Sequence, residues 1–269
     1  MNTFFYIIIF IIGTLFGSFY TLAVYRIPKR QDIVHTHSYC PNCNHKLGLL
    51  DLFPIFSYIL LGGKCRYCKQ KIRPRYLILE SLTGVLFVII AFLMGMRIDN
   101  LNVKIITEFC FIVLYLTYII LMSGINKENK TIDKYVNIYG IVISLSYMVY
   151  LYIIGKASIY RYGIYIILYA ILLIANWKFK DNKKEINQIL IAIITMTIFT
   201  GEYLILNTIL ITIIISSIIL AKKRAKKEEK NENTSRKVNL IKELPTGFLL
   251  GVSNVSLLVC ILAYNNFIL

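Results

Sequence analysis

Charged side chains are scarce in this sequence. Asp, Glu, Lys and Arg together make up 16% of its 269 residues, against 57% hydrophobic residues. A protein that folds in water needs a polar, solvated surface, and this composition excludes one for most of the chain. The mean hydropathy of +0.66 leads to the same conclusion. Most of the chain is therefore predicted to lie in a lipid bilayer.

Several motifs of soluble enzymes are also missing. The chain has no Walker phosphate loop and no GxGxxG dinucleotide motif, and its three histidines form no His-rich catalytic cluster. Glycine patterns of this kind bring backbone N–H groups close to phosphates or nucleotides. The residues themselves therefore indicate no site for a nucleotide-like cofactor.

Eight apolar stretches run along the chain. Most reach the roughly 17 to 25 residues that a helix needs to cross a hydrocarbon core of about 30 Å. We predict an all-α polytopic membrane protein with about eight transmembrane helices, in which Gly201 marks the turn between the sixth and the seventh. The stretches cover residues 3–25, 77–95, 105–122, 135–154, 160–176, 187–200, 203–220 and 244–268.

The basic residues fall on alternate sides of these stretches. Lys and Arg resist translocation, so loops rich in them stay in the cytosol. Only four of the 30 Lys and Arg residues lie in the other loops, and 26 lie in residues 26–76, 123–134, 177–186 and 221–243. We predict a multi-pass plasma membrane protein with both termini outside. Its net charge of +16 follows from this topology, so no nucleic-acid partner is expected.

This topology divides the chain into segments. Residues 1–25 are predicted as the first transmembrane helix and not as a secretory signal, because the basic residues follow the apolar run. Residues 26–76 form a polar cytosolic insert, and residues 77–269 form the remaining transmembrane bundle. Within the bundle, residues 221–243 are a basic cytosolic linker.

The insert contains two CxxC pairs separated by 21 residues, Cys40 with Cys43 and Cys65 with Cys68. Four thiolates with this spacing can surround Zn²⁺ tetrahedrally. Because cytosolic thiols are kept reduced, a zinc site is favoured over disulfides and over a thiol–disulfide redox centre. Surface roles are favoured over substitute metal ligation for the three flanking histidines, His35, His37 and His45.

The N-terminal third of the chain resembles a known family in the order, spacing and type of its residues, from about residue 13 to residue 84. The matching motifs are Gly17-Ser18-Phe19, Arg26-Ile27-Pro28, Ser38-Tyr39-Cys40-Pro41-Asn42-Cys43, Asp51-Leu52-Phe53-Pro54-Ile55-Phe56-Ser57-Tyr58, Gly63-Lys64-Cys65-Arg66-Tyr67-Cys68, Ile72-Arg73-Pro74-Arg75-Tyr76 and Glu80. With these motifs the region resembles the N-terminal module of the type IV prepilin leader peptidase/N-methyltransferase family.

The resemblance implies a function and a peptidase-like region at residues 105–269. Members of the family remove the short basic leader of type IV pilin-like precursors at the cytosolic membrane face. They then methylate the new N-terminus with S-adenosylmethionine as donor. The resemblance implies prepilin-like precursors as partners, in type IV pilus assembly, protein secretion or the DNA uptake of competence. It also implies an aspartic endopeptidase that depends on two aspartates.

The sequence departs from the family at those two aspartates. Asn126 stands at the position of the first, and Asn187 is the nearest equivalent of the second, within a residue or two of register. In a carboxylate pair, one group activates water while its partner protonates the leaving group. An amide exchanges no proton near neutral pH, so it cannot serve as the general base. Both positions are therefore expected to be inactive in proteolysis.

Other carboxylates are candidates to replace them. Asp133 lies seven residues beyond Asn126, about 10 Å along the same face if the segment is helical, and Glu185 lies beside the second position. One hypothesis is that Asp133 and Glu185 form a displaced catalytic pair. The simpler hypothesis is that both are solvated charges at the membrane surface.

Glu80 at the mouth of the second span is the other unusual acid. A carboxylate inside a span costs several kcal/mol unless it faces a partner or water. We predict that Glu80 binds Arg73 or Arg75 and so docks the zinc insert on the bundle.

Three hypotheses follow. The chain is a working prepilin peptidase and methyltransferase, or a homologue without protease activity that binds prepilins or assembly partners and retains at most methylation. The third is an unrelated zinc-stapled transporter, in which Glu80 and Glu108 would line a pathway.

Overall fold

The computed structural model describes residues 1–156, 159–178, 181–229 and 245–268. Within these residues the regular structure is helical, which confirms the predicted all-α class. A short 3₁₀ turn covers Ile98–Asn100. The helices are α1 (Asn2–Arg26), α2 (Leu49–Leu52), α3 (Phe56–Leu60), α4 (Arg75–Leu93), α5 (Val103–Asn129), α6 (Lys134–Ile153), α7 (Ile159–Lys178), α8 (Asp181–Thr200), α9 (Glu202–Glu229) and α10 (Thr246–Ile268).

The eight predicted spans correspond to the eight long helices. Six of these are long and apolar enough to cross a bilayer, namely α1, α4, α5, α6, α9 and α10. The other two carry shorter apolar segments, Tyr160–Ala175 in α7 and Ile186–Thr200 in α8. The protein is thus a multi-pass membrane protein, with six clear spans in the described part of the chain.

Some helices continue past their apolar stretches. The third apolar stretch ends at residue 122, but α5 runs on to Asn129 and carries Asn126 in its last turns. Likewise α9 continues to Glu229. The rest of the predicted linker 221–243 lies outside the described residues. Gly201, at a φ of +82°, separates α8 from α9, which confirms the predicted turn.

The chain forms two compact units, one of Met1–Cys110 with Leu262–Leu269 and one of Phe111–Ile261. In the first unit α1 packs antiparallel on α4. A Cβ atom added at Gly13 would lie 2.8 Å from the Cα of Gly84, and one at Gly17 would lie 2.7 Å from the Cα of Glu80. Glycines four residues apart therefore let the two backbones approach closely, as is common between helices in membranes.

The second unit is a bundle in which α8 packs against α6, α7 and α9. An aromatic stack fills part of its interior, with the ring of Phe199 between Tyr115 and Tyr147 at centroid distances of 4.5 and 4.6 Å. Side-chain hydrogen bonds also join its helices. Tyr115 donates to Asn254 Oδ1 at 2.6 Å, and the Asn254 amide donates to Thr208 at 3.3 Å.

Candidate functional site

Residues 39–46 and 64–71 form two turns with the same backbone geometry. In each, the N–H of the first cysteine donates to the carbonyl five residues later, and the N–H four residues later donates back to the carbonyl of that cysteine. The four distances are Cys40 to His45 3.0 Å, Asn44 to Cys40 2.8 Å, Cys65 to Gln70 2.9 Å and Lys69 to Cys65 3.0 Å. Each turn closes with one isolated β-bridge, Tyr39 with Lys46 and Lys64 with Lys71.

The two turns bring the predicted ligands together. The Sγ atoms of Cys40, Cys43, Cys65 and Cys68 all lie within 4.8 Å of one another. The sulfurs of Cys40 and Cys68 are 3.8 Å apart. Tetrahedral zinc with Zn–S bonds of about 2.3 Å requires sulfur atoms about 3.8 Å apart. This cluster can hold a metal ion, and its four soft donors fit zinc.

One of the thiols is prepared for ligation. The backbone N–H of Gln70 lowers the pKa of the Cys68 thiol to about 6, and the side chain of Asn42 donates to the same sulfur at 3.8 Å. Metal binding requires deprotonated thiols. Donors directed at a sulfur favour its thiolate form, so these two groups support a bound cation.

A polar contact joins the segment around Asp51 to the second cysteine turn. Arg66 donates to Asp51 at 2.6 Å, Tyr67 donates to the same carboxylate at 3.4 Å, and the Gly48 N–H donates at 3.2 Å. Burial alone would raise the pKa of Asp51, but these donors outweigh it, so the pKa of Asp51 is lowered. The rings of His45 and Tyr67 lie 3.5 Å apart between centroids. His45 therefore packs between the turns.

The predicted Glu80 docking contact uses different donors. Glu80 is buried in α4, and its carboxylate accepts from the backbone N–H of Ile55 at 2.8 Å and from the hydroxyl of Ser18. Arg75 places its guanidinium 5.4 Å from the ring centroid of Tyr76. Glu80 thus joins the insert to the helix pair through a backbone amide. Only the structure reveals this partner, because backbone donors leave no mark in a sequence.

Arg26 has a structural role, although the sequence indicated only that its positive charge favours the cytosolic side. Its guanidinium is buried and donates to the carbonyls of Asp32, Thr36 and His37 at 2.9, 2.9 and 3.1 Å. Three acceptors on a buried cation satisfy most of its donors. Arg26 therefore shapes the segment that leads from α1 into the first cysteine turn.

Asn126 is buried near the end of α5, where it meets the start of α10. Its side-chain oxygen accepts from the backbone N–H of Phe248 at 3.2 Å. A Cβ atom at Gly247 would lie 3.1 Å from the Asn126 amide carbon, so a larger residue there would have to displace the amide by a few tenths of an ångström. The first N–H groups of a helix lack partners within it. Asn126 supplies the acceptor for one of these N–H groups, that of Phe248, so this side chain has a structural role.

Asn187 is also buried, in the second turn of α8. Its side-chain nitrogen has no hydrogen-bond partner within the described part of the chain. The next residue, Gln188, accepts two bonds from the Asn137 amide, at 2.9 Å to its carbonyl and 2.5 Å to its side chain. Asn137 in turn accepts from Tyr118 at 2.9 Å. Gln188, the neighbour of Asn187 in the chain, therefore belongs to a network of two amides and a phenol.

Sequence reasoning missed Asn137, Gln188 and Tyr118. The one signal was Gly140, which lies one turn after Asn137 on α6. A Cβ atom at Gly140 would lie 2.5 Å from the ring of Tyr118. The glycine thus gives the tyrosine room to reach the amide.

The two substitute carboxylates have different positions. Asp133 caps the N-terminus of α6 and accepts from the N–H of Tyr135 at 2.8 Å. This cap is a sufficient structural reason for an acid there. Glu185 lies in the second turn of α8, and its side chain is outside the described part of the chain. Among the residues whose burial is described, the buried carboxylate is Glu80 of the first unit.

Comparison with known proteins finds matches to the N-terminal part of the chain, which contains the cysteine cluster. Residues 11–94 match the family model described as the bacterial peptidase A24 N-terminal domain. The N-terminal module belongs to that domain family. The matched residues include all four clustered cysteines and Glu80, and they end before Asn126 and Asn187. No solved structure matches the chain.

Curated relatives carry the name prepilin leader peptidase/N-methyltransferase. The chain is 39% identical to the Myxococcus xanthus protein over 83 residues, which are 31% of the chain and 25% of that protein. It is 40% identical to the Vibrio cholerae protein over 96 residues, which are 32% of the chain and 36% of that protein. It is 36% identical to the Bacillus subtilis protein over 92 residues, which are 34% of the chain and 37% of that protein. The matches thus span about a quarter to two fifths of these relatives.

Proposed function

We propose that the protein acts on type IV prepilin-like precursors at the cytosolic face of the plasma membrane, as a relative of the prepilin leader peptidase/N-methyltransferases. The match of residues 11–94 carries this proposal. The Lys and Arg distribution supports placing the cysteine turns in the cytosol. A precursor with a basic leader and an apolar helix would meet both the insert and the bundle there.

Within this proposal the four cysteines bind a structural zinc ion. The set of four thiolates leaves no open coordination position for substrate, which is typical of structural sites. The ion would fix the two cysteine turns to each other and so keep the insert folded. No catalytic step is therefore assigned to the cysteine cluster.

The proposal further holds that the protein binds precursors without aspartic proteolysis. Asn126, which we align with the first aspartate, accepts a bond from the start of α10, and Asn187, which we align with the second, is a buried amide. Amides can hold a peptide backbone by hydrogen bonds, but they cannot exchange the protons that hydrolysis requires. The observation that favours this reading is the amide at both positions.

A working peptidase is the second candidate, and the printed names of the relatives favour it. It would need displaced carboxylates, with Asp133 and Glu185 as the residues to test. Methyl transfer from S-adenosylmethionine is proposed by resemblance alone, and no residue is assigned to it. A transporter is less well supported, because the Glu80 carboxylate binds Ile55 and Ser18.

One assay separates the two leading candidates. The full chain in lipid vesicles is incubated with a prepilin-like precursor from the same cell, and binding, leader removal and N-methylation are measured separately. We expect binding without leader removal. Leader removal that Asp133→Asn or Glu185→Gln abolishes would establish a displaced carboxylate pair and overturn the binding-only reading.

A further inference from the structure

The middle of the insert exposes large apolar side chains. In residues 49–61 the one charged side chain is Asp51, which is paired with Arg66. A soluble surface seldom carries a continuous apolar patch of this kind without a partner. The exposed residues of this segment are Leu49, Leu50, Leu52, Phe53, Phe56, Ile59 and Leu60, of which Leu49, Leu50 and Leu60 are each about four fifths exposed or more.

The same segment is attached to the helix pair inward of the helix ends. Ile55 is bound to Glu80, which lies five residues inside α4, or about 7.5 Å at the helical rise per residue. Glu80 packs against Gly17, nine residues or about 13.5 Å before the end of α1. The turn at Ile55 therefore lies beside these two helices and not beyond their ends.

The α4 surface at this level is itself apolar and exposed. Ile78 and Leu82 flank Glu80 along α4, and each has more than 60% of its surface exposed. On a helix that spans a bilayer, exposed side chains of this kind face lipid. The apolar patch of the insert thus lies at the depth of a lipid-facing helix surface.

A strained turn fixes the segment at this depth. Ile55 has a φ of +64° and a ψ of −55°, and the N–H of Phe56 donates to the carbonyl of Pro54 at 2.6 Å. This is a γ-turn centred on a β-branched residue, a rare and strained conformation. The bond from the Ile55 N–H to Glu80 compensates for part of that strain. The turn therefore persists because it is attached to α4.

We propose that residues 49–61 insert into the interfacial layer of the same bilayer that α1 and α4 span, as an apolar membrane anchor of the insert. Exposed basic residues surround the anchor in sequence and suit anionic lipid headgroups, which attract Lys and Arg near the membrane surface. They are Lys46, Lys64, Lys69, Lys71 and Arg73. The anchor holds the two cysteine turns at the membrane surface, and it does not depend on any role in prepilin processing.

Tryptophan fluorescence tests the anchor directly. The chain has one tryptophan, so a Trp177→Phe background allows a single reporter at Leu50→Trp or Leu60→Trp. The matched control is Gln70→Trp, at an exposed position on the second cysteine turn. Each full-length variant is placed in vesicles with and without lipids brominated near the headgroup, and metal content confirms that the insert is folded.

We expect brominated lipids to quench the reporters at positions 50 and 60 several-fold more than the reporter at 70. Equal quenching at all three positions would overturn the proposal. A second arm adds a synthetic peptide with the apolar N-terminal helix of a precursor. Reporters that are unquenched by lipid and shift to shorter wavelength only with this peptide would assign the patch to a protein partner instead, which also overturns it.

Discussion

The cysteine turns have the side chains that their expected metal chemistry needs, whereas Asn126 and Asn187 lack the carboxylates that proteolysis needs. All four sulfurs of the insert lie at distances suited to one metal ion, and secondary contacts such as that of Arg66 with Asp51 support them. At Asn126 and Asn187, by contrast, the side chains have no acid–base chemistry, and Asn126 has a helix-capping contact. The cysteine cluster can therefore hold a metal ion, whereas the two asparagine side chains cannot transfer protons.

Among the substitutions considered, loss of a metal ligand should have the largest effect on the insert. Cys40→Ser removes one of four sulfurs, and we expect the bound zinc per chain to fall from about one to near zero. The insert should then become sensitive to proteases. Metal analysis of the purified protein and limited proteolysis measure both effects. Cys110→Ser is the control, since Cys110 lies outside the cluster and is exposed on α5; equal zinc loss in both variants would contradict the site.

Close packing of α1 on α4 should show the next largest effect. Gly17→Val places side-chain atoms against the Glu80 backbone, and we expect a loss of about 1 to 3 kcal/mol in stability. A thermal unfolding measurement in detergent detects it. Gly163→Ala is the matched control, because a Cβ atom there meets nothing within 4 Å. Equal destabilisation by both substitutions would show that the α1–α4 approach is not the tight contact described.

The Glu80 contact should have an intermediate effect. Glu80→Ala removes the acceptor of the Ile55 N–H, and an unpaired buried donor costs about 1 to 3 kcal/mol. We expect faster amide hydrogen exchange in residues 49–61. Glu80→Gln retains an acceptor oxygen and should exchange more slowly than the alanine variant. Identical exchange in wild type and Glu80→Ala would exclude a docking role for this carboxylate.

The smallest effect is expected at Asp51. Asp51→Asn keeps the shape of the side chain but weakens its contact with Arg66, so we expect zinc affinity to fall by up to about tenfold. Competition with a metal chelator measures it. Asp99→Asn is the control, an exposed acid outside the insert. An unchanged zinc affinity in Asp51→Asn would show that the contact of Asp51 with Arg66 does not support the metal site.

Much of this architecture could be predicted from the sequence, because hydropathy, basic flanks and cysteine spacing are local signals. The all-α class and the meeting of Cys40, Cys43, Cys65 and Cys68 followed from them. The donors to Glu80 could not be predicted, since the N–H of Ile55 becomes available only through an unusual γ-turn.

The bundle interior was also beyond sequence reasoning. The bonds among Tyr118, Asn137 and Gln188 join residues 19 and 51 positions apart, and their pairing depends on how three helices pack. The length of α5 was hidden as well, because its final turns are polar although they remain helical. Hydropathy marks where a helix is apolar and not where it ends.

Restoring the two acids tests the central claim most directly. The double variant Asn126→Asp/Asn187→Asp and the wild type are each incubated in vesicles with a prepilin-like precursor, and mass spectrometry follows the release of the leader. The account predicts that the wild type leaves the precursor uncut and that the double variant releases the leader. Release of the leader by the wild-type protein would contradict it.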